Sequence, residues 1–586
     1  MDQINIGRYL GIDLGTTNTA MATVYFTTDN KVDIKVEKFK SRKSRQGNEY
    51  LPSAIYLKDD GEYLYGFEAK DHINQLQSEF GDIKPYVINA KKLMGTDEIF
   101  NLGAHKLKAI DVAKKILKKC GDEFNKIYAN FPKIRYDLVP TVITVPARFE
   151  NPAKEDTINA AINVGYKEGI RLLEEPTAAL LSYLYHQMQN EEDIRAVHIS
   201  KPKTFMVVDL GGGTCDIVII DVTEKNESGK KKLCFSNFKN PNRVDLGGAD
   251  FDSKFSTYLL KKFFELNSIR YDSIPHDIKN SLKTKLFLVA EEKKEQFSIS
   301  IEQRTNSIED VVYNRVNIQE LYSAVPDEEI NIRNFYNNID FNYKVTLKEY
   351  LECINTLLVK RETHALTIEE DIKNKNFEDA ILKTLEINNV KLDNIDYVLF
   401  TGGMSLFLPL KKKLYEITNK RIVWPHNPMT AVAEGAALFS LFKNAEKNDQ
   451  YLNEKDVFHV DENSTIYKYI PNLEINGTLP CAYLIDKKDQ LPVVLVDKNT
   501  PYPQPKRYVE KKFTTNSPIG VIINIYSGQD KYDPNLRRLK PLKCFFNLNN
   551  EKMLGTNFDI WYELSENGTI KIGVKFPDTG EEFEWR

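Results

Sequence analysis

The sequence predicts an α/β protein with two lobes built on one plan, followed by a separate β domain. The first observation is an internal repeat. Residues 9–24 can be laid on residues 205–220, and each copy reads as an apolar strand, an Asp-Leu-Gly turn and a second apolar strand. The second is the alternation of helix and strand signals between residues 140 and 417, which is typical of α/β lobes. The third is the tail from about residue 479, where short alternating strands are separated by turns.

Individual segments support the α/β prediction. Residues 140–146 read as a strand closed by proline, residues 155–164 as a helix, and residues 177–188 as a buried helix. Residues 397–403 read as a strand that ends in a glycine turn, and residues 408–417 as the helix that follows it. Turns at strand ends are where α/β lobes bind phosphate, so these turns are the first place to look for a site.

The local amino-acid composition divides the chain into three parts. Residues 443–474 are dominated by Asn, Asp, Glu and Lys and have few core-forming residues. We therefore predict a two-lobed domain over residues 1–442, a linker over 443–478 and a β domain over 479–586.

Composition excludes several classes of function. The 80 Lys and Arg residues nearly balance the 84 Asp and Glu residues, so neither nucleic acid nor a membrane surface is expected as a partner. The 6 cysteines form no CxxC pair and the 8 histidines no HExxH, which disfavours disulfides and zinc. With neither a signal peptide nor an apolar run of about 18 residues, we expect a cytoplasmic protein.

The two Asp-Leu-Gly turns contain the residue types that bind phosphate and magnesium. Glycines let backbone N–H groups approach phosphate, threonines add donors, and Asp13 and Asp209 can each hold a hydrated Mg²⁺, with Asp216 as a further carboxylate. The candidate phosphate ligands are Gly15, Thr16, Thr17, Asn18, Gly211, Gly212, Gly213 and Thr214. One such turn alone is more often a plain hairpin, but two matched copies favour phosphate binding. The sequence contains no Walker A pattern.

Two further turns are candidates for the rest of a nucleotide site. One presents Gly247 and Gly248, with Asp250 just after them, and the other presents Gly402 and Gly403, followed by Met404. Taken alone, either is more often a structural turn.

The motifs GIDLGTTNT, VVDLGGGTCD, LEEPTAALL, DLGGADFD and FTGGMS occur in this order, and the chain resembles the seventy-kilodalton heat-shock chaperones of the DnaK type. Segments 498–503, 512–515, 525–528 and 565–570 are similar to that family's peptide-binding domain. The resemblance implies an actin-like two-lobed ATPase domain (a duplicated ribonuclease-H-like fold), followed by a β-sandwich. The family's helical lid is expected to be missing.

The resemblance also implies roles for single residues. Lys70 falls where the family's water-orienting lysine is expected, and Glu175 matches the carboxylate near water and metal. Asp13, Asp209 and Asp216 match the metal-shell and catalytic aspartates, with the metal held through water, and Thr214 lies near the γ-phosphate. The implied cofactors are ATP or ADP and Mg²⁺, with K⁺ as a further candidate. The implied reaction is slow phosphoryl transfer to water.

Departures from the family concentrate around the base. Glu291, Lys294 and Ser298 match its ribose and adenine contacts, but Glu295 stands where an adenine-stacking arginine is usual. A second such arginine is missing after Gly403, so we expect weaker adenosine binding.

The parts that couple the two domains differ as well. Lys154 replaces an arginine near the family's relay between its two sites, close to Pro146. No short hydrophobic segment that docks on the ATPase lobes is evident in residues 443–478.

The function that the resemblance implies is nucleotide-controlled binding of extended hydrophobic segments of client polypeptides, with J-domain proteins and exchange factors as further partners. Phe513, Val521 and Ile523 match the peptide pocket, although a role in the sandwich core fits them equally well. One alternative is a nucleotide-gated interaction module with negligible turnover and one dedicated partner. Another, disfavoured by the β tail, is an actin-like polymer or a small-molecule kinase.

Overall fold

The computed structural model describes residues 8–26, 32–40, 47–76, 85–167, 169–189, 199, 201–227, 230–236, 240–359, 376–448, 473–475, 477–487, 490–509, 513–517, 519–546 and 554–585. Within this part of the chain, no helix is long and apolar enough to cross a membrane.

Lobe I is built on a mixed sheet. Its strands are β1 (Arg8–Leu14), β2 (Asn18–Phe26), β3 (Val32–Glu37), β4 (Tyr50–Pro52), β5 (Ile55–Leu57), β6 (Tyr63–Tyr65), β7 (Tyr86–Val87), β8 (Phe100–Leu102), β9 (His105–Leu107), β10 (Thr141–Val145) and β11 (Arg171–Glu174). Its helices are α1 (Gly66–Leu76), α2 (Ala109–Ile127), α3 (Asn151–Asn163) and α4 (Glu175–Gln189). The strand order of the main sheet is β11-β10-β1-β2-β3, with β1 antiparallel to β2 and parallel to β10.

Lobe II repeats this arrangement. Its strands are β12 (Lys203–Leu210), β13 (Cys215–Glu227), β14 (Lys230–Ser236), β15 (Asn242–Val244), β16 (Glu328–Tyr336), β17 (Ile339–Val345), β18 (Tyr397–Thr401) and β19 (Arg421–Val423). Its helices are α5 (Gly248–Leu266), α6 (His276–Arg304), α7 (Ile308–Val312), α8 (Ile318–Ser323), α9 (Leu347–Leu358), α10 (Phe377–Ile387), α11 (Leu408–Thr418) and α12 (Ala431–Asn448). Strand β12 is antiparallel to β13 and parallel to β18, as β1 is to β2 and β10. The two lobes predicted from the sequence repeat are confirmed.

Helices α4 and α12 cross between the lobes. A Cβ atom on Gly435 would lie 1.8 Å from the carbonyl oxygen of Ala178, so only glycine lets the two backbones pack this closely. The surrounding core contains residues from the sheets of both lobes, such as Val24 and Val218. One hydrophobic core therefore joins the lobes beneath the cleft between them.

Part of the predicted linker is structured. Residues Leu473–Ile475 form β20, which pairs in parallel with β14 at the edge of the lobe II sheet. The expectation that no segment of 443–478 docks on the lobes is therefore wrong. The strand has only three residues and polar segments on both sides, so the local sequence does not predict it. Its partner strand lies more than 230 residues away in sequence. Residues 449–472 and 476 lie outside the described residues.

The C-terminal region is an all-antiparallel β domain, as predicted. Its strands are β21 (Ala482–Lys487), β22 (Gln490–Val496), β23 (Gln504–Tyr508), β24 (Phe513–Thr514), β25 (Gly520–Ile523), β26 (Ile525–Gly528), β27 (Arg537–Arg538), β28 (Leu542–Phe545), β29 (Asn557–Leu564), β30 (Ile570–Lys575) and β31 (Glu582–Glu584). Inward-facing side chains such as Ile485, Ile572 and Phe576 are buried in one core.

The β domain is docked on lobe I through hydrogen bonds. The Asn567 side chain accepts from the Leu172 amide at 2.9 Å and donates to the Ile170 carbonyl at 3.2 Å, which caps the open edge of the lobe I sheet at β11. At the start of α3, the Asn151 side chain accepts from the Ile570 amide at 2.7 Å. The backbone amide of Asn151 donates to the Tyr483 hydroxyl at 3.1 Å. Polar groups on both surfaces are thus paired across the interface.

Candidate nucleotide site

The two repeated turns meet in the cleft between the lobes. The turn after β1 is tight, because a Cβ atom on Gly15 would lie 1.9 Å from the Asn18 carbonyl oxygen. A Cβ atom on Gly212 would lie 2.4 Å from the Thr17 hydroxyl oxygen, so the turn after β12 contacts the turn after β1. Glycine at both positions lets the two backbones form opposite walls of one site.

Three aspartates and one glutamate face this site. Asp209 and Asp216 are directly opposite each other in the β12–β13 register, and Asp13 accepts a hydrogen bond from the Thr144 hydroxyl at 3.0 Å. Burial and the nearby Glu175 carboxylate raise the pKa of Asp13 to about 7. Burial, together with the charges of Glu175, Asp216 and Asp13, raises the pKa of Asp209. The charge of Asp13 acts on Asp209, so the two carboxylates lie close to each other across the two turns.

Asp216 is the most buried of these carboxylates. Burial raises its pKa to about 6, although the Arg243 charge and a hydrogen bond with Thr214 act in the opposite direction. Its Oδ1 atom is buried and has no hydrogen-bond partner. A buried carboxylate oxygen without a partner is costly unless a cation or a donor reaches it.

Lys91 is the cation among these carboxylates. It lies in a short 3₁₀ helix (Ala90–Leu93), is buried, and donates to Oε1 of Glu175. Its charge acts on Asp13, Asp209 and Asp216. The adjacent Lys92 donates to the Gly213 carbonyl of lobe II at 3.1 Å. Sequence reasoning missed both lysines, although two adjacent charges within the apolar segment 90–94 are a signal that they have partners.

Lys70 lies elsewhere in the cleft. Its Nζ is 3.1 Å from Oε1 of Glu291, and its charge also acts on Tyr50 and Glu295. Lys70 is on α1, in the part of lobe I that faces α6, whereas Lys91 precedes α2 and reaches the β1 and β12 turns. The structure therefore places Lys91, and not Lys70, beside the carboxylates of the two turns.

The third predicted turn packs directly on the second. The amides of Gly248 and Ala249 donate to the carbonyls of Gly211 and Gly212 at 3.0 and 2.8 Å. A Cβ atom on Gly247 would lie 2.3 Å from the Gly213 nitrogen. The Asp250 carboxylate accepts from the Gly247 amide at 2.8 Å, so it caps α5 instead of pointing into the cleft as a free ligand. These glycines hold the start of α5 against the phosphate turn.

The predicted base-side residues gather around the glycines of the last two turns. A Cβ atom on Gly248 would lie 3.2 Å from the Met404 sulfur and 3.4 Å from the Lys294 ammonium. A Cβ atom on Gly403 would lie 3.2 Å from the Met429 sulfur. Gly402, at φ +83°, closes β18 beside Asp209. Methionine sulfurs thus line the wall where stacking arginines were expected.

Two base-side residues already have partners. Lys294 donates to Asp252 at 2.7 Å, and the Ser298 hydroxyl donates to the Leu406 carbonyl at 3.3 Å. Phe407 is buried edge-to-face against Tyr350 and belongs to the core. Lys294 can still present its remaining N–H groups to a ribose, since an ammonium has three donors.

The residues around the two turns fit a hydrated Mg²⁺. Several carboxylate oxygens lie close together, burial and then the neighbouring carboxylates raise the pKa values of Asp13 and Asp209, and one buried oxygen lacks a partner, so a bound cation would stabilise the site. Among the described residues, no group of three acidic, histidine or cysteine side chains is arranged to ligate one metal directly. This arrangement is consistent with a metal held through water.

The predicted peptide-binding residues lie in the β-sandwich core. Val521 and Ile523 are 9% and 7% exposed, and Phe513 stacks on Phe558 with ring centroids 5.6 Å apart. Side chains alternate along β25, so Ile522 points outward and is 59% exposed. Val521 and Ile523 therefore pack in the sandwich core, one of the two roles that the sequence left open for them, and a part in a peptide pocket stays a prediction.

Two matched α/β lobes around a carboxylate-lined phosphate cleft, followed by a docked β domain, define a two-lobed ATPase with an appended β module. A family model described as Hsp70 protein matches residues 9–319, more than half of the chain, and the chain belongs to this family of ATP-dependent chaperones. It is also similar to the chaperone protein DnaK of Mycoplasmopsis agalactiae. The two are 24% identical over 587 residues, covering 98% of this chain and 77% of that protein.

Proposed function

We propose that this protein binds Mg²⁺ and ATP between its lobes, hydrolyses the ATP slowly, and uses the nucleotide state to control the binding of extended apolar polypeptide segments. The observation that carries the proposal is the position of Glu174 and Glu175 at the junction of β11 and α4. Glu175 bonds Lys91 in the carboxylate cluster, and Glu174 accepts a hydrogen bond from Tyr502 of the β domain. The nucleotide cleft and the β domain therefore meet at two consecutive residues.

The roles follow from position. Asp13 and Asp209 would hold Mg²⁺ through water, and the bound metal would neutralise phosphate charge. The Gly15 and Gly211 turns, with Thr16, Thr17 and Thr214, would donate to phosphate oxygens. Lys91 would orient the attacking water, and Glu175 would hold Lys91 in place. Because phosphoryl transfer depends mainly on positioning and charge, this geometry supports the proposal of slow turnover.

The residues at the base end of the cleft favour a modest affinity for the adenosine part of ATP. Met404 and Met429 offer non-directional apolar contacts where a guanidinium would supply a cation–π interaction of about 1 kcal/mol. Lys294 and Glu291 remain available for the ribose. We expect the phosphates to contribute most of the binding free energy.

The client-binding surface proposed here is the outer face of β25 and β28. Ile522 and Phe545 are 59% and 60% exposed and lie diagonally on one face, because Gly520 pairs with Phe545 and Ile522 with Lys543. An extended segment would place alternate apolar side chains on this face. Val521 and Ile523 support it from below. J-domain proteins and exchange factors remain proposed partners.

The test is titration calorimetry of ATP, ADP and GTP with and without Mg²⁺, combined with single-turnover hydrolysis in the presence and absence of an unfolded apolar peptide. The proposal expects Mg²⁺-dependent binding and slow hydrolysis that Glu175→Gln abolishes without abolishing binding. Binding without turnover would support the alternative of a nucleotide-gated interaction module. Absence of nucleotide binding would refute both.

A further inference from the structure

Two charged residues of lobe I are buried by the β domain. Lys154 on α3 is 1% exposed, and Glu174 at the end of β11 is 9% exposed. The groups that cover them are Tyr502 and the turn at Gly568, where a Cβ atom would lie 2.6 Å from the Lys154 ammonium. Both Tyr502 and Gly568 belong to the β domain, so these two charges lose water because of docking.

Tyr502 contacts both charges but satisfies only one. Its hydroxyl donates to Oε1 of Glu174 at 3.2 Å. Its ring centroid lies 5.0 Å from the Lys154 ammonium, which has no hydrogen-bond partner. An ammonium in water makes hydrogen bonds with all three N–H groups, so Lys154 exchanges them for one weak cation–π contact.

Burial therefore disfavours both charges in the docked arrangement. It lowers the pKa of Lys154, with the Glu174 charge opposing the shift, and it raises the pKa of Glu174, with Lys154 and the Tyr502 hydroxyl opposing. Besides Glu174, the titratable group whose charge acts on Lys154 is Cys481, and burial keeps its thiol neutral. Attraction between the two charges compensates only part of their lost hydration.

The rest of the interface is well paired. Beyond the Asn567 and Asn151 bonds, Ser527 donates to Glu150 at 2.9 Å, and Arg537 donates to the Gly95 carbonyl at 2.9 Å. The favourable contacts and the dehydrated pair thus act in opposite directions within one interface.

We propose that Lys154 and Glu174, two buried opposite charges without a direct hydrogen bond between them, oppose docking through their lost hydration and keep the β domain poised to leave lobe I. Each charge stabilises the other in part, and both regain water when the β domain separates. Glu174 is followed by Glu175, so the pair lies one peptide bond from the carboxylate cluster. This inference concerns the docking equilibrium of the nucleotide-free chain and does not depend on hydrolysis.

Hydrogen–deuterium exchange of the full-length chain measures this equilibrium. The Leu172 and Ile570 amides donate across the interface, so their exchange rates report how often it opens. The variants are Lys154→Met, Glu174→Gln and the double variant. The matched control is Lys344→Met with Glu329→Gln, which removes an exposed ion pair of 2.9 Å on the β16–β17 hairpin. The Val207 amide in β12 reports whether the fold is intact.

The expected pattern is non-additive. Each single variant leaves one buried charge uncompensated, so exchange of both reporter amides should speed up at least about tenfold. The double variant should exchange about threefold more slowly than the wild type, because the dehydration cost is gone. The control pair should change neither amide. Additive acceleration in the double variant, or unchanged exchange in both single variants, would overturn the proposal.

Discussion

The ammonium of Lys70 lies 3.1 Å and 3.3 Å from the two carboxylate oxygens of Glu291, and this ion pair joins helix α1 of lobe I to helix α6 of lobe II across the cleft. Under the proposed function, a nucleotide that enters or leaves between these helices would pass the pair. Lys70 would then act as a clasp at the base end of the cleft, separate from the carboxylate cluster at the phosphate end.

Breaking this clasp is expected to speed nucleotide release without affecting chemistry. The two side chains are 40% and 26% exposed, so solvent screens the pair and it contributes at most about 1 kcal/mol. Lys70→Met should raise the dissociation rate of a fluorescent ADP up to about fivefold in stopped-flow displacement. Single-turnover hydrolysis of bound ATP should stay unchanged, and its loss would restore the role that sequence reasoning gave to Lys70.

Lys91→Met is expected to slow hydrolysis while changing nucleotide binding much less. The buried ammonium bonds Glu175 among the aspartates, so its loss removes a positioning charge where negative charge is transferred. We expect single-turnover hydrolysis to fall at least about 100-fold, while calorimetric ATP affinity changes less than about tenfold. Lys70→Met, assayed in parallel, is the matched control. Equal losses in both variants would contradict the division of roles.

A buried lysine in lobe II is expected to make stability depend on pH. Burial lowers the pKa of Lys411 to about 8, and the ammonium donates only to the Ser405 carbonyl, near Trp424. In the unfolded chain this pKa returns to about 10.4. Between these values the folded state binds fewer protons, so stability rises with pH above about 8 and is insensitive to this group below it.

Lys411→Met removes the buried charge and should raise the free energy of unfolding at pH 7 by about 2 kcal/mol. The measurement is urea denaturation followed by tryptophan fluorescence at several pH values from 7 to 10. The wild type should gain stability between pH 8 and 10, and the variant should lack that gain. A variant less stable than the wild type at pH 7 would show that the Ser405 bond outweighs the burial cost.

Substitutions at two neighbouring isoleucines of the β domain are expected to affect stability and peptide binding separately. Ile523 faces the core and Ile522 faces outward on the same strand. Ile523→Ala should lower the stability of the β domain by about 2–4 kcal/mol because it leaves a cavity. Ile522→Ala should change stability by less than about 0.5 kcal/mol but weaken binding of an apolar peptide in a fluorescence anisotropy titration. If Ile522→Ala left the peptide affinity unchanged, the outer face of β25 and β28 would not be the peptide-binding surface.

The sequence alone determined the elements whose signals are local. The paired Asp-Leu-Gly turns, the strands on either side of them and the alternating strands of the tail follow from patterns within about 20 residues, and the structure confirms them. The placement of Asp13 and Asp209 at one cleft also followed, because the repeat implied symmetric lobes.

Only the tertiary structure decided which charged side chains meet. Lys70 and Lys91 are both lysines of lobe I, and no local pattern shows that one reaches Glu291 and the other Glu175. The same holds for β20, whose polar surroundings read as linker until its partner β14 is known. Tyr502 reaches Lys154 and Glu174 through the docking of the β domain on lobe I. These side-chain hydrogen bonds join residues 84 to 328 positions apart in sequence, so they are a property of the folded chain.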